Sequence, residues 1–174
     1  MHLINEQVFS DSISDIDDIT METLDPEYRT VNVLSAIFFA IVLISIYFIV
    51  SIFEKNLLTT FSLFIMLPIW GLMSGLYLWF AYKSFDFQAF AIRQNDILYK
   101  SGIFFKSTLI IPFNRIQHCE INHGPLDRYF GLARIELYTA GGSSSDLVIP
   151  GLPHHRAEAI RSFVFKKIAA DEEE

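Results

Sequence analysis

IPFNRIQHCEINHGPLDRYFGLARIELYTAGG, residues 111–142, gathers two His, the only Cys of the chain, an Asp, two Glu and three Arg. It is either a catalytic or metal-binding cluster, or a scaffold. RIQHCEIN has strand character, and a strand sends successive side chains to opposite faces. Arg115, Gln117, Cys119, Ile121 and His123 then share one side, and Ile116, His118, Glu120 and Asn122 the other. His118 and His123 point apart unless the chain turns at His123, just ahead of Gly124-Pro125. A transition metal needs several N or S ligands converging at about 2.0–2.3 Å. His118 could recruit Glu120 from its own face, but not Cys119.

A nucleophilic Cys needs a base within hydrogen-bond reach and an activating environment. The immediate neighbours of Cys119 face away from it, so it reads as a small buried hydrophobe. His154-His155 open a helix about 100° apart around its axis, which is poor chelate geometry. The sequence contains no P-loop, no GxGxxG after a strand, no HExxH and no GxSxG. Gly141-Gly142 reads as a turn. No catalytic, cofactor-binding or metal-ligating residue is expected, and no cofactor.

The scaffold reading accounts for the same residues. Pro112 closes one strand and Arg115 opens the next. Gly124-Pro125 makes a turn, and Asp127-Arg128 lies on a connection toward Tyr129-Phe130-Gly131-Leu132. Gly131 suits a conformation costly for other residues. Arg115, Arg128 and Arg134 could tie these loops to carbonyls or to Asp127 and Glu136.

Outward from this stretch, short β-like runs alternate with turn signals. FDFQAFAIR, ILYKSGIFF, TLIIPF, ARIELYTA and DLVIP are further strand candidates, with a turn at Asn95-Asp96 and a flexible tip at residues 141–145. From Pro153 the pattern becomes helical: Ala157, Ile160, Phe163, Val164 and Ile168 recur at helical spacing among charged residues. Residues 84–170 thus fit one small β-sandwich or partly open barrel closed by an amphipathic helix.

Upstream lies the apolar material. The chain has 174 residues, is 52% hydrophobic and has a mean hydropathy of +0.36, too apolar for an ordinary soluble domain of its size. Val31 to Phe53 carries no charge and would reach about 34 Å as a helix, enough to cross a hydrocarbon core of roughly 30 Å. Leu57 to Tyr82 is a second uncharged run, with Pro68, Gly71 and Gly75 offering a kink or a close helix contact. The connector Glu54-Lys55-Asn56 is short, so the spans, about 31–53 and 57–82, form an antiparallel hairpin with both termini on one side. Some thirty polar, acidic residues precede the first span, which disfavours a signal peptide. Arg29, Lys83, Arg93 and Lys100 lie on the shared side against Lys55 in the connector, which favours cytoplasmic termini. A single Cys, unable to form an internal disulfide, points the same way.

The net charge of −7 is uneven. Residues 1–24 read as an acidic, disordered tail, and residues 171–174 as a second acidic tail. Asp25-Pro26-Glu27 reads as the start of a helix that continues into the bilayer. Between Ser84 and Ala170, ten Lys and Arg face seven Asp and Glu. That is a mild lean toward anionic headgroups and no nucleic-acid footprint.

The quoted stretch, with IPGL at 149–152 and AEAIRSF in the closing helix, resembles the bacterial pleckstrin-homology-like domain of YdbS-like membrane proteins. The pattern falls on Ile111, Pro112, Arg115, Ile116, Gln117, Gly124, Pro125, Leu126, Arg128, Gly131, Leu132, Ala133, Thr139, Ala140, Ile149, Pro150, Gly151 and Leu152. With LDPEYRTVNVL, the two spans and FAIRQNDILYKSGIFFK in the family's order, the resemblance covers about residues 24–168. Cys119 departs from it, standing where an aliphatic residue is expected. The resemblance implies a two-helix transmembrane hairpin carrying a sandwich of about seven strands, capped by a C-terminal helix, at the cytoplasmic face of a bacterial inner membrane. It implies partnership with a larger membrane protein bearing repeated copies of the domain, or with further copies of this chain. The phosphoinositide site of the eukaryotic namesake is not transferred, because no matching basic loop occurs here.

Three readings follow: a non-enzymatic membrane adaptor, a sensor of anionic lipid through Lys83, Lys100 and Lys106, and an enzyme or transporter. The last is disfavoured, because the spans contain no intramembrane charge to serve an ion path.

Overall fold

The computed structural model describes residues 19–53, 60–139 and 145–172. The expectations for the tail up to residue 18, the connector at 54–56 and the Gly141-Gly142 turn lie outside the described residues. Two helices come first, α1 (Pro26–Phe53) and α2 (Thr60–Ser84). Asp25 caps α1 by accepting the Glu27 N–H at 2.9 Å, and Pro26 sits where no helical N–H is required. Both helices are long and apolar enough to cross a membrane.

They run antiparallel. Arg29, on the first turn of α1, lies over the rings of Tyr82 and Phe85 at 4.8 and 4.5 Å. It also donates to the Tyr82 hydroxyl at 3.3 Å and pairs with Asp86. Helix α2 continues through Pro68. The close contact considered for Gly71 and Gly75 is not there, since a side chain added at either glycine would meet nothing within 4 Å. Instead α1 supplies the small residues. Ala36 and Ala40 are buried, and Trp70 Nε1–H donates across the pair to the Ala40 carbonyl at 3.3 Å, as close helix approach in lipid requires.

Seven strands among the described residues build two antiparallel sheets. One has the order β1 (Glu22–Thr23), β2 (Ala89–Ile92), β3 (Asp96–Ser101), β4 (Ser107–Pro112). The other runs β5 (Ile116–Asn122), β6 (Leu132–Thr139), β7 (Leu147–Pro153). A short helix, α3 (Pro125–Tyr129), joins β5 to β6, and α4 (His154–Glu172) closes the chain. This is the sandwich with a capping helix that the resemblance implies.

The core is continuous between the sheets and α4. Phe90, Ile97, Phe113, Ile135, Leu137, Ile149, Ala157 and Val164 are buried in one cluster, and Phe113 meets Phe163 of α4 edge-on at 5.7 Å.

Two local expectations are corrected. The tail expected over residues 1–24 ends sooner: Glu22 and Thr23 pair with Phe90 and Ala89, and Leu24 joins the core at 2% exposure. The polar residues around this dipeptide hid it, because only its partner strand makes it a strand. FDFQAFAIR likewise opens as a 3₁₀ turn, Phe85–Phe87, before β2 begins.

Candidate functional site

The polar residues of 111–142 disperse in the fold. Strict alternation would place Ile116 and Cys119 on opposite faces, yet both are buried. The pairing of β5 with β6 shifts between Ile116 and His118. This bulge leaves Gln117 exposed and returns Cys119 to the core. Burial is the main cause that pushes its thiol up to about 11, the opposite of what a nucleophile needs.

His118 stays outside, stacked on Tyr138 with ring centroids 4.2 Å apart and 3.7 Å from Glu120. The Tyr138 hydroxyl donates to Glu136 at 3.1 Å, and that bond is the chief reason its phenol is raised. His123 does leave the strand line: its Nδ1 lies 2.8 Å from the Leu132 carbonyl, and its ring is 5.0 Å from that of His154. His118, His123 and Cys119 therefore occupy three separate environments. Among the described residues no three His, Cys, Asp or Glu side chains are grouped as a metal ion would require.

Some of the motif residues brace loops, whereas Arg115, Gln117 and Arg128 are exposed. Asp127, 5% exposed, accepts from the Gly124 N–H and from Arg134, both at 2.9 Å. Arg134 is thus the arginine that ties this loop. Pro125 opens α3, and Arg128 lies exposed on it. Gly131 has φ 68° and Gly151 φ 62°. A side chain at Gly151 would come within 2.3 Å of the Tyr28 ring, and its carbonyl accepts the Asp25 N–H at 3.0 Å. Gly151 is therefore the place where β7 receives the start of α1, coupling the domain to its membrane helix. Thr139 donates through its N–H and hydroxyl to Asp146, both at 2.7 Å. Arg115 is exposed on a 3₁₀ turn, and Pro112 ends β4.

The exposed features lie elsewhere. Strand β4 is the outer strand of its sheet, yet Leu109 and Ile110 are 41% and 39% exposed. Leu109 pairs with Tyr99 and Ile110 with Leu98, so consecutive aliphatic side chains leave opposite faces of one edge. At the tip between β3 and β4, Phe104 is 73% and Phe105 92% exposed. Phe104 stacks 6.4 Å from Phe80 of α2, which puts this tip beside the membrane helix.

The three lysines differ in setting. Lys83 is held by Asp86 at 2.9 Å. Lys100 sits in β3 opposite Thr108, and Lys106 is exposed at the tip. The sequence reading missed the exposed aliphatics and phenylalanines. The tip left one trace, in that SGIFFKS has two Phe where a turn usually carries Gly, Asn, Asp or Ser.

Comparison with known proteins agrees with this architecture. Residues 29–168 match the family model described as a bacterial PH domain. The chain is 31% identical over 75 residues to the UPF0699 transmembrane protein YdbS of Bacillus subtilis (strain 168). That match takes in 43% of this chain and 45% of its relative. No solved structure matches. With two membrane-length helices, a seven-stranded sandwich, a capping helix and a family match across most of its length, this chain is a membrane protein that belongs to the bacterial PH domain family.

Proposed function

We propose that the protein is a non-enzymatic assembly module of the bacterial inner membrane, whose PH-like domain joins a partner through the β4 edge. The carrying observation is Ser107–Pro112, a strand in regular register with β3 and with aliphatic side chains exposed on both faces. A sheet edge of this kind is a template for pairing with another strand unless it is blunted by charge or a bulge. Its six residues hold neither; Pro112 stands at the far end, where an outer strand tolerates it. The natural occupant is an edge of the same fold, from a larger protein with repeated PH-like domains or from a second copy. The cluster geometry, with a desolvated Cys119 and separated histidines, supports a role without catalysis. Arg29 and Lys83 at the domain end of the helix pair support cytoplasmic termini.

The test is purification in mild detergent, with mass measured by light scattering and crosslinking. An assembly larger than one chain is expected, and it should shrink in Ile110→Lys, which places a charge on the pairing edge. A monodisperse single chain from native membranes would overturn the reading.

Recognition of anionic lipid is the second reading, favoured by the exposure of Lys106 beside the membrane helix. Each such lysine is worth about 1 kcal/mol near a charged surface. It predicts that liposome binding by the domain rises with anionic lipid and falls with salt. Binding indifferent to both would remove it.

A further inference from the structure

From the β3–β4 tip, Gly102–Lys106, we infer that this turn inserts into the membrane interface as an apolar wedge, forming a second attachment beside the helical hairpin. The turn is tight. Gly102 has φ 104°, and a side chain there would fall 1.9 Å from the Phe105 carbonyl oxygen. The backbone is thereby closed under a tip whose side chains project outward. Those side chains are Phe104 and Phe105, 73% and 92% exposed, where a turn facing water would carry polar residues.

Their depth is set by a neighbour within the membrane helix. Phe80 stands one helical turn before the end of α2 at Ser84, and Phe104 stacks on it at 6.4 Å with rings 25° apart. A ring stacked on Phe80 shares its level, and this stretch of α2 also carries Tyr77, Trp79 and Tyr82, the residue types enriched at the membrane–water boundary. Lys106 follows at the exposed tip, a residue type that can keep its charged end among headgroups while its stem lies along apolar surroundings. Among the described residues Phe105 stays 92% exposed, and beside a membrane-crossing helix at the level of Phe80 what would meet it is lipid. The occupant is therefore the bilayer interface, entered through apolar surface and independent of headgroup charge. This attachment is separate from β4 pairing, since β4 leads away from the membrane toward Pro112.

The test places a nitroxide label at Phe105→Cys in the full chain, reconstituted in phosphatidylcholine nanodiscs. Cys119 is buried, and the unsubstituted chain supplies the labelling blank. Gln94→Cys, at the exposed far end of the same sheet, is the reference for water. At position 105 accessibility to oxygen should exceed that to a water-soluble nickel chelate severalfold, with the reverse at position 94. Adding phosphatidylglycerol or salt should leave the contrast unchanged. Equal chelate accessibility at both positions would place the tip in water and overturn the inference. Shielding from both reagents at position 105 would mean that protein covers it, and would overturn it equally. Neither result depends on whether the chain assembles through β4.

Discussion

Replacing Gly151 by Ala tests the joint between the sandwich and its membrane helix. Two costs add at this position. Gly151 has φ 62°, a left-handed conformation that costs a residue with a side chain about 1–2 kcal/mol. The new methyl would also stand 2.3 Å from the Tyr28 ring and 2.6 Å from its Cβ. The flexible end of a side chain could swing away, but the Cβ of a helical residue cannot. Forcing extra volume into a packed site typically costs about 1–3 kcal/mol. The sum is about 3 kcal/mol, which is roughly a hundredfold in an equilibrium constant.

Gly131→Ala isolates the first cost. Its φ is 68°, but nothing lies within 4 Å of an added side chain, so about 1–2 kcal/mol is expected. The single buried Cys119 supplies the assay. Its rate of alkylation by iodoacetamide in the full detergent-solubilised chain reports opening of the core, and it follows the opening equilibrium when reclosing is fast. The Gly151→Ala chain should be labelled about a hundredfold faster than the parent, and Gly131→Ala about tenfold faster. Equal rates for the two variants would refute the claim that Tyr28 is clamped against β7.

Two further outcomes follow from the braces. Arg134→Met should raise the same labelling rate by about 10- to 100-fold, because it leaves the buried Asp127 carboxylate with the Gly124 N–H alone, and hydrogen bonds to charged groups are worth about 1.5–3 kcal/mol; Arg134→Lys should restore part of the loss. The Asp146 carboxyl is held below its ordinary range by the Thr139 hydroxyl, then by the Thr139 N–H. The unfolded chain therefore binds this proton first, and the contribution of Asp146 is complete above the ordinary carboxylate range and lost as pH falls through its lowered value. Protection of the Thr139 and Asp146 amides, taken as exchange relative to the intrinsic rate at each pH, should fall on acidification, and Asp146→Asn should flatten that dependence.

Some of this molecule is written in short stretches of sequence. The two spans follow from the length of their uncharged runs, because crossing hydrocarbon is a condition on consecutive residues. Asp25-Pro26 starts α1 because a cap acts on amides two or three positions away. The strand character of RIQHCEIN and ARIELYTA, and the helical spacing of Ala157, Ile160 and Val164, are equally local. The turn into α3 at Gly124-Pro125 is local in the same way, since proline fixes its own φ and suits the first helical position.

Other features exist only because distant residues meet. Glu22–Thr23 is a strand because β2 lies beside it, and Leu24 is buried because the sandwich closes over it. Cys119 enters the core through a bulge that no periodicity announces. Gly151 matters because Tyr28, far away in the chain, packs against it. The β4 edge is open because no strand among the described residues flanks it, and Phe104 lies beside α2 because it meets Phe80. Composition and period constrain a residue's immediate conformation; burial, exposure and partnership are set by contacts that close only in the folded chain.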